Sequence, residues 1–119
     1  DLPVMKGAQE VLQDLQNDYD VFVVTAAMEF RNSFEDKYDW LLEHFPFLDW
    51  RKFVFCGYKS IIRADYLIDD HAFNLDVFEG KGLLFTASHN IGENKYERVN
   101  NWEEVRIFFN QESAKGLSK

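Results

Sequence analysis

Two adjacent carboxylates, Asp69 and Asp70, follow directly after the apolar run of residues 66–68. A carboxylate at the end of a buried strand is costly unless a cation or hydrogen bonds compensate its charge. Mg²⁺ prefers oxygen ligands and is commonly held by one or two carboxylates together with phosphate and water. The pair is therefore the best candidate in this chain for a divalent metal site, although an Asp-Asp pair after a strand is more often a turn or a helix cap.

Two more polar residues follow other predicted strands. Thr25 ends the run 19–25, and Lys59 comes shortly after the run 53–56. Because ligands of open α/β sheets bind at the carboxyl ends of the strands, we expect both to converge with the two carboxylates. Such a set suits a phosphate ester with magnesium, since lysine balances phosphoryl charge and backbone N–H groups after Thr25 can cradle its oxygens. Taken singly, each is more often an ordinary loop or strand-end residue.

The elements that must position these residues alternate along the chain. Helical spacing predicts helices over about 7–16, 33–45 and 102–109, and β-branched or aromatic runs predict buried strands at 19–25, 53–56, 66–68 and 82–86. Ser33 and Asn101 are the expected N-caps. We expect a loop or short turn at 71–74, a polar loop at 88–100 and a frayed tail at 113–119. Alternation with short connections predicts a three-layered α/β fold with a parallel sheet.

Composition limits the classes of function. The 119 residues suit one domain, and a net charge of −8 argues against binding a nucleic-acid polymer. The single cysteine, Cys56, lies in an apolar run, so it is expected in the core of a protein from the reducing cytoplasm. We find no membrane-span pattern or signal peptide. We predict that His44 is a surface residue near a helix end. His71 and His89 lack the spacing of a zinc motif.

The strand ends also resemble a known family. Residues 23–25, then Lys59, then 67–70, with ten residues from Lys59 to Asp69, resemble the second, third and fourth motifs of the haloacid-dehalogenase (HAD) superfamily of phosphotransferases. More narrowly, the chain resembles the 5′(3′)-deoxyribonucleotidases, which implies a Rossmann-like (HAD-like) parallel sheet. The further segments that carry this resemblance are Asp-Lys-Tyr-Asp-Trp at 36–40, Leu-Phe-Thr-Ala-Ser-His-Asn at 84–90 and Asn-Trp-Glu-Glu at 101–104.

The resemblance implies a role for each matching residue. Thr25 would hydrogen-bond the transferred phosphoryl group, helped by the N–H of Ala26, where relatives often have a second hydroxyl. Lys59 would neutralise phosphate charge and steady the nucleophile, and Lys37 would also reach the phosphate side of the pocket. Asp70 would bind Mg²⁺, and its neighbour Asp69 would assist directly or through water. The implied substrate is a deoxyribonucleoside monophosphate, and a homodimer is left open.

One departure from the family pattern concerns the nucleophile. In the superfamily it is the first Asp of an Asp-x-Asp motif after the first strand, and a small cap domain follows. Neither is found in this sequence, so residues 1–119 are expected to be a partial HAD-like core from a longer polypeptide, unstable alone. Two alternatives remain: another HAD phosphatase with a different small phosphate ester, and a non-catalytic binding module without the nucleophile.

Overall fold

The computed structural model describes residues 7–25, 31–56 and 59–117. They form four helices and five strands in the alternating order expected of an α/β fold. None of these helices, within the described ranges, is long and apolar enough to span a membrane. The helices are α1 (Ala8–Leu15), α2 (Arg31–His44), α3 (Ala72–Asp76) and α4 (Trp102–Leu117), and the strands are β1 (Val23–Thr25), β2 (Phe53–Phe55), β3 (Tyr66–Asp69), β4 (Lys81–Phe85) and β5 (Glu97–Val99).

The strands form two separate parallel sheets. One consists of β1 and β2, with Thr25 opposite Phe55, and the other has the order β3-β4-β5, with Asp69 opposite Leu84. No strand pairing joins β1 to β3 in the part of the chain that the structure describes. The predicted α/β fold with parallel strands is confirmed, and it places the carboxyl ends of each sheet at one edge.

The three-stranded sheet is covered on both faces. Because side chains alternate along a strand, Leu83 and Phe85 of β4 pack into a cluster with α1 and α4, whereas Leu84 packs into a cluster with Leu75 of α3. Leu83 and Leu84 are both 0% exposed. Helices therefore lie on each side of this sheet, as the predicted three layers require.

The two-stranded sheet is less deeply buried than the sequence predicts. All six residues of β1 and β2 are half-buried, although Leu41 of α2 and the following Phe45 pack against them. The predicted strand 19–25 is also shortened to Val23–Thr25. In the described part of the chain β1 has a strand neighbour on one side only, so its other edge lacks the cover expected for a central parallel strand.

Three expectations for the second half of the chain are wrong. The expected loop at 71–74 enters the short helix α3, and the expected loop at 88–100 contains the 3₁₀ turn Ser88–Asn90 and strand β5. Strand β5 was missed because Glu97-Arg98-Val99 has one buried apolar residue, as an edge strand permits. The expected frayed tail is helical to Leu117, and the Tyr19 hydroxyl lies 3.0 Å from Ser113 Oγ.

Of the two predicted helix N-caps, one is confirmed and the other is wrong. Asn101 caps α4, because its Oδ1 accepts a hydrogen bond from the Glu104 N–H at 2.9 Å. Helix α2 begins at Arg31, so Ser33 lies inside the first turn and is not the N-cap. Cys56 is buried with a free thiol, as predicted.

Candidate phosphate and metal site

A buried ion pair joins the carboxyl ends of the two sheets. Lys59 lies in the turn Lys59–Ile61 that follows β2, and Asp69 is the last residue of β3. Lys59 Nζ donates a hydrogen bond to Asp69 Oδ2 at 2.7 Å, and the two side chains are only 15% and 4% exposed. The structure thus brings together two of the residues selected from the sequence, on different sheets, at the edge where ligands bind in such folds.

The Asp69 carboxylate accepts three hydrogen bonds from protein donors. Its Oδ2 also accepts from Asn74 Nδ2 at 3.1 Å, and its Oδ1 accepts from the backbone N–H of His71 at 2.9 Å. Burial alone would raise the pKa of Asp69, but the hydrogen bond from Lys59, the His71 N–H and the lysine charge outweigh it and lower that pKa. Asp69 is therefore an anion that fixes Lys59.

Asp70 is placed differently from its neighbour. Its side chain is 46% exposed, and its carboxylate accepts no hydrogen bond from the described residues. Its backbone oxygen accepts from Asn90 Nδ2 at 2.9 Å, which holds the end of β3 in place. Both oxygens of this carboxylate have a histidine Nε2 nearby, that of His71 at 3.8 Å and that of His89 at 3.9 Å. A half-exposed carboxylate on a fixed backbone fits a Mg²⁺ ligand, because Mg²⁺ takes one or two carboxylates and fills its other positions with water and phosphate.

Asn90 and Arg98 support this strand end, and neither was selected from the sequence. Asn90 is 5% exposed, and its Nδ2 also donates to Phe85 O at 2.8 Å, so one side chain bridges the ends of β3 and β4. Arg98 donates to Asn90 Oδ1 and to Asn90 O, both at 2.9 Å. The available signal was the position of Asn90 in a polar segment directly after a buried strand.

Three further residues were selected from the sequence: Thr25, Lys37 and Ala26. Thr25 ends β1, where its carbonyl oxygen accepts from the Cys56 N–H at 3.0 Å. Lys37 lies on α2 with its ammonium 4.3 Å from the centroid of the Trp40 ring, and desolvation lowers its pKa. Within the described ranges, no hydrogen bond or ion pair connects Lys37 to the Lys59–Asp69 pair. Ala26 lies outside the described residues.

A cleft of about 330 Å³ opens beside Asp70. Its walls include His71 and Phe73 from the segment after β3, and His89 and Glu93 from the segment after β4. The rings of His71 and His89 stack with their centroids 4.6 Å apart. The cleft therefore lies at the carboxyl ends of two neighbouring strands, and Asp70 is its acidic wall.

Comparison with known proteins identifies the family. The sequence matches the family described as "5' nucleotidase, deoxy (Pyrimidine), cytosolic type C protein" over residues 1–114. The chain belongs to this family. The assignment agrees with the parallel α/β fold and with the family resemblance seen in the sequence.

Three relatives have names that agree with this family assignment. It is 57% identical over 109 residues to a putative 5′(3′)-deoxyribonucleotidase of Staphylococcus epidermidis, covering 92% of this chain and 61% of the relative. A putative 5′(3′)-deoxyribonucleotidase of Staphylococcus aureus is 55% identical over 91% of this chain and 60% of its own length. The 5′(3′)-deoxyribonucleotidase of Bacillus subtilis is 47% identical over 87% and 60%, respectively. The chain thus spans about 60% of the length of these relatives.

Proposed function

We propose that this chain is the phosphate- and metal-binding part of a cytoplasmic, Mg²⁺-dependent phosphomonoesterase that acts on deoxyribonucleoside monophosphates. The observation that carries the proposal is the buried Lys59–Asp69 pair beside the half-exposed carboxylate of Asp70. It places a fixed cation and an available oxygen ligand at the same sheet edge. Membership in a deoxynucleotidase family and the names of the relatives support this class of substrate.

The proposed roles follow from the geometry and charge of each side chain. Lys59 is held by the Asp69 carboxylate, so its ammonium is preorganised to face phosphate oxygens without a reorientation cost during the reaction. Thr25, at the end of β1, would offer its hydroxyl to the phosphoryl group, with the Ala26 N–H beside it. Asp70 would hold Mg²⁺, and Asp69 would act on the ion through water. When bound, Mg²⁺ supplies positive charge that stabilises the transferring phosphoryl group.

The proposed reaction has two steps. An aspartate outside this chain attacks phosphorus and forms an aspartyl-phosphate as the nucleoside leaves, and water then hydrolyses the acyl-phosphate bond. Residues of this chain stabilise charge in both steps, because Lys59 faces the same phosphate oxygens each time. We therefore assign the nucleophile and the general acid/base to a segment that this sequence does not contain, together with the cap that would recognise the nucleoside.

The division into two sheets supports a partial core. Strands β1 and β3 each have a neighbour on one side only in the described part of the chain, yet Lys59 and Asp69 connect the ends of the two sheets. One more parallel strand between β1 and β3 would give a single continuous sheet and would bring a residue at its carboxyl end next to Lys59. We propose this position for the strand that carries the nucleophile.

Substitution of Asp70 tests the metal assignment. In the intact protein, Asp70→Asn is expected to abolish Mg²⁺-dependent hydrolysis of deoxyribonucleoside monophosphates, measured as phosphate release at increasing Mg²⁺. Asp65→Asn is the matched control, because Asp65 is an exposed carboxylate just before the same strand. Turnover with an unchanged Mg²⁺ dependence in Asp70→Asn would reject Asp70 as the ligand.

A substrate panel and an intact mass test the rest of the proposal. Intact mass and N-terminal sequencing of the protein from its source are expected to give a species well above 14.1 kDa, with a strand and an Asp-x-Asp motif ahead of Asp1. Preference for other phosphate esters over deoxyribonucleotides would favour a different HAD phosphatase. Phosphate or Mg²⁺ binding without any turnover would favour the non-catalytic binding module.

A further inference from the structure

Two histidines lie next to Asp70 in space, although 18 positions separate them in the sequence. His71 Nε2 is 3.8 Å from Asp70 Oδ1, and His89 Nε2 is 3.9 Å from Asp70 Oδ2. One donor atom from each of the three residues can be chosen so that all lie within 4.8 Å of one another. We propose that Asp70, His71 and His89 form a binding site for a divalent transition-metal ion of the zinc type.

The donor set determines which metal the site prefers. Imidazole nitrogen suits zinc, copper, nickel and iron, whereas Mg²⁺ selects oxygen ligands. Two imidazoles and one carboxylate therefore make a site whose affinity should follow the order of the late first-row metals, with Zn²⁺ and Cu²⁺ far above Mg²⁺. The two histidines distinguish this site from the all-oxygen Mg²⁺ site proposed for Asp70 alone.

The observed distances need only a small adjustment to hold such an ion. Tetrahedral zinc with bonds of about 2.0–2.1 Å places its ligand atoms about 3.3 Å apart. The nitrogen–oxygen separations of 3.8 and 3.9 Å therefore have to shorten by about half an ångström, which side-chain rotation can supply. The side chains of His71, His89 and Asp70 are 60%, 46% and 46% exposed, and the cleft leaves room for a water ligand. His89 Nε2 lies 2.9 Å from the Asp70 carbonyl oxygen, so ligation through this nitrogen requires the ring to give up that hydrogen bond and its proton.

The backbone that carries the three ligands is already fixed. The N–H of His71 donates to the buried carboxylate of Asp69 at 2.9 Å. His89 lies in the turn Ser88–Asn90, where buried Asn90 donates to the Asp70 carbonyl oxygen. Since hydrogen bonds behind metal ligands orient them and raise affinity, these contacts prepare the site. The two rings stack face to face with an interplanar angle of 24°, so at least one of them has to turn before both can direct a nitrogen at the same ion.

The shared carboxylate predicts competition, and this part of the proposal rests on the proposed function. If Asp70 is a Mg²⁺ ligand in the intact enzyme, a zinc-type ion that occupies all three side chains withdraws that ligand. Zn²⁺ is therefore expected to inhibit phosphate release competitively with Mg²⁺. Substituting either histidine should weaken this inhibition relative to the Mg²⁺-supported rate of the same variant.

Direct metal binding tests the site without reference to activity. Zn²⁺ is titrated calorimetrically into the intact, metal-free protein, and Co²⁺ serves as a visible absorption probe of low-coordinate nitrogen and oxygen ligation. His71→Ala and His89→Ala should each weaken binding by about tenfold or more, since even partners behind the ligands are worth ~10–100-fold. His44→Ala is the control, because His44 lies on α2 beside Glu43 and outside the cluster.

The outcomes separate the two proposals. Zn²⁺ affinity unchanged by both cluster substitutions, or reduced equally by His44→Ala, overturns the transition-metal site whatever the activity. Tight Zn²⁺ binding that depends on His71 and His89, in a protein that releases no phosphate, supports the site and rejects the proposed function. Thermal unfolding of each variant checks the fold, and because both histidines are exposed, either one alone can carry the test.

Discussion

Strand β4 of the three-stranded sheet and the two strands of the other sheet contain comparable apolar runs but differ in burial. In the three-stranded sheet, Leu83, Leu84 and Phe85 of β4 are 0%, 0% and 7% exposed. In the two-stranded sheet, Val23, Val24 and Thr25 of β1 and the three residues of β2 are all half-buried. The runs are comparably apolar, so composition does not explain the difference. It comes from neighbours, because β4 has a strand on each side and helices on each face.

This difference in burial indicates which half of the molecule depends on contacts with the other half. The three-stranded sheet has its own core with α1, α3 and α4, whereas the two-stranded sheet depends on α2 and on contacts with the rest of the molecule. The side-chain contacts that span the division include the Lys59–Asp69 ion pair, and Tyr19, which lies just before β1 and contacts Tyr66 of β3. The following predictions test how much each half and each link contributes.

The largest effect is expected from Lys59→Met. It leaves the Asp69 carboxylate buried without its cation, which typically costs about 3–5 kcal/mol in the free energy of unfolding. In the intact protein it also removes a preorganised contact to phosphate, with an expected loss of about 10²–10³ in kcat/KM. Chemical denaturation and phosphate-release kinetics measure the two effects.

Lys81→Met is the matched control for this change. Lys81 also forms an ion pair, with Glu97 at 3.0 Å, but the side chains are 48% and 50% exposed. Screening by water should keep the change in unfolding free energy at about 0–1 kcal/mol. Equal destabilisation by the two substitutions would contradict a special role for the buried pair.

The contrast between the sheets predicts unequal costs of core truncation. Leu84→Ala opens a cavity at a fully buried position of β4 and should reduce the unfolding free energy by about 2–5 kcal/mol. Val54→Ala, in half-buried β2, should cost about 1 kcal/mol. Denaturant midpoints of the two variants measure both values, and similar values would mean that β2 is better covered in solution than its exposure indicates.

A smaller effect is expected from Tyr19→Phe. The Tyr19 hydroxyl lies 3.1 Å from Phe109 O and 3.0 Å from Ser113 Oγ, so the change removes hydrogen bonds to α4 while the ring contacts remain. The expected cost is about 0.5–1.5 kcal/mol. Amide hydrogen exchange should rise in the last turns of α4, and unchanged exchange there would show that the hydroxyl does not hold this end of the helix.

The smallest effect is expected on acidification. It compares the buried Lys59–Asp69 ion pair with the exposed Arg51–Asp49 ion pair. Both Asp69 and Asp49 have pKa values below their usual 3.8, and the hydrogen bonds from Arg51 lower that of Asp49 to about 2. A depressed folded-state pKa gives stability that is present above the unfolded value and is lost as pH falls through the folded one. We expect the contributions of both carboxylates to the folded state's stability to be lost as the pH falls below 3.8. The contribution of Asp49 should be lost around pH 2.

Carboxyl carbon NMR titration measures both pKa values. Arg51→Ala should return the pKa of Asp49 towards its usual value without changing enzyme activity, because this pair is fully exposed and lies in the turn before β2. Asp69 should keep its lowered pKa in that variant. A rise in the pKa of Asp69 in Arg51→Ala would show that the two pairs are coupled.

The sequence was most informative where local chemistry decides the structure. Apolar runs located β2, β3 and β4, and the carboxylates at the end of β3 were found at the expected sheet edge. Strand β5 and the His71–His89 contact could not be found in the same way. Glu97-Arg98-Val99 lacks an apolar pattern, and the two histidines meet only because β3 and β4 are parallel neighbours. Pairing between distant segments, not local preference, creates that cluster.

The ion pair between the sheets also has a consequence during folding. Lys59 and Asp69 belong to different sheets, so the cation proposed to face phosphate is correctly placed only after the two halves have docked. A nascent or partly opened molecule lacks that placement even if each half is locally formed. Competence to act on nucleotides is thereby delayed until assembly is complete, and loss of activity under mild heating should precede loss of helical structure.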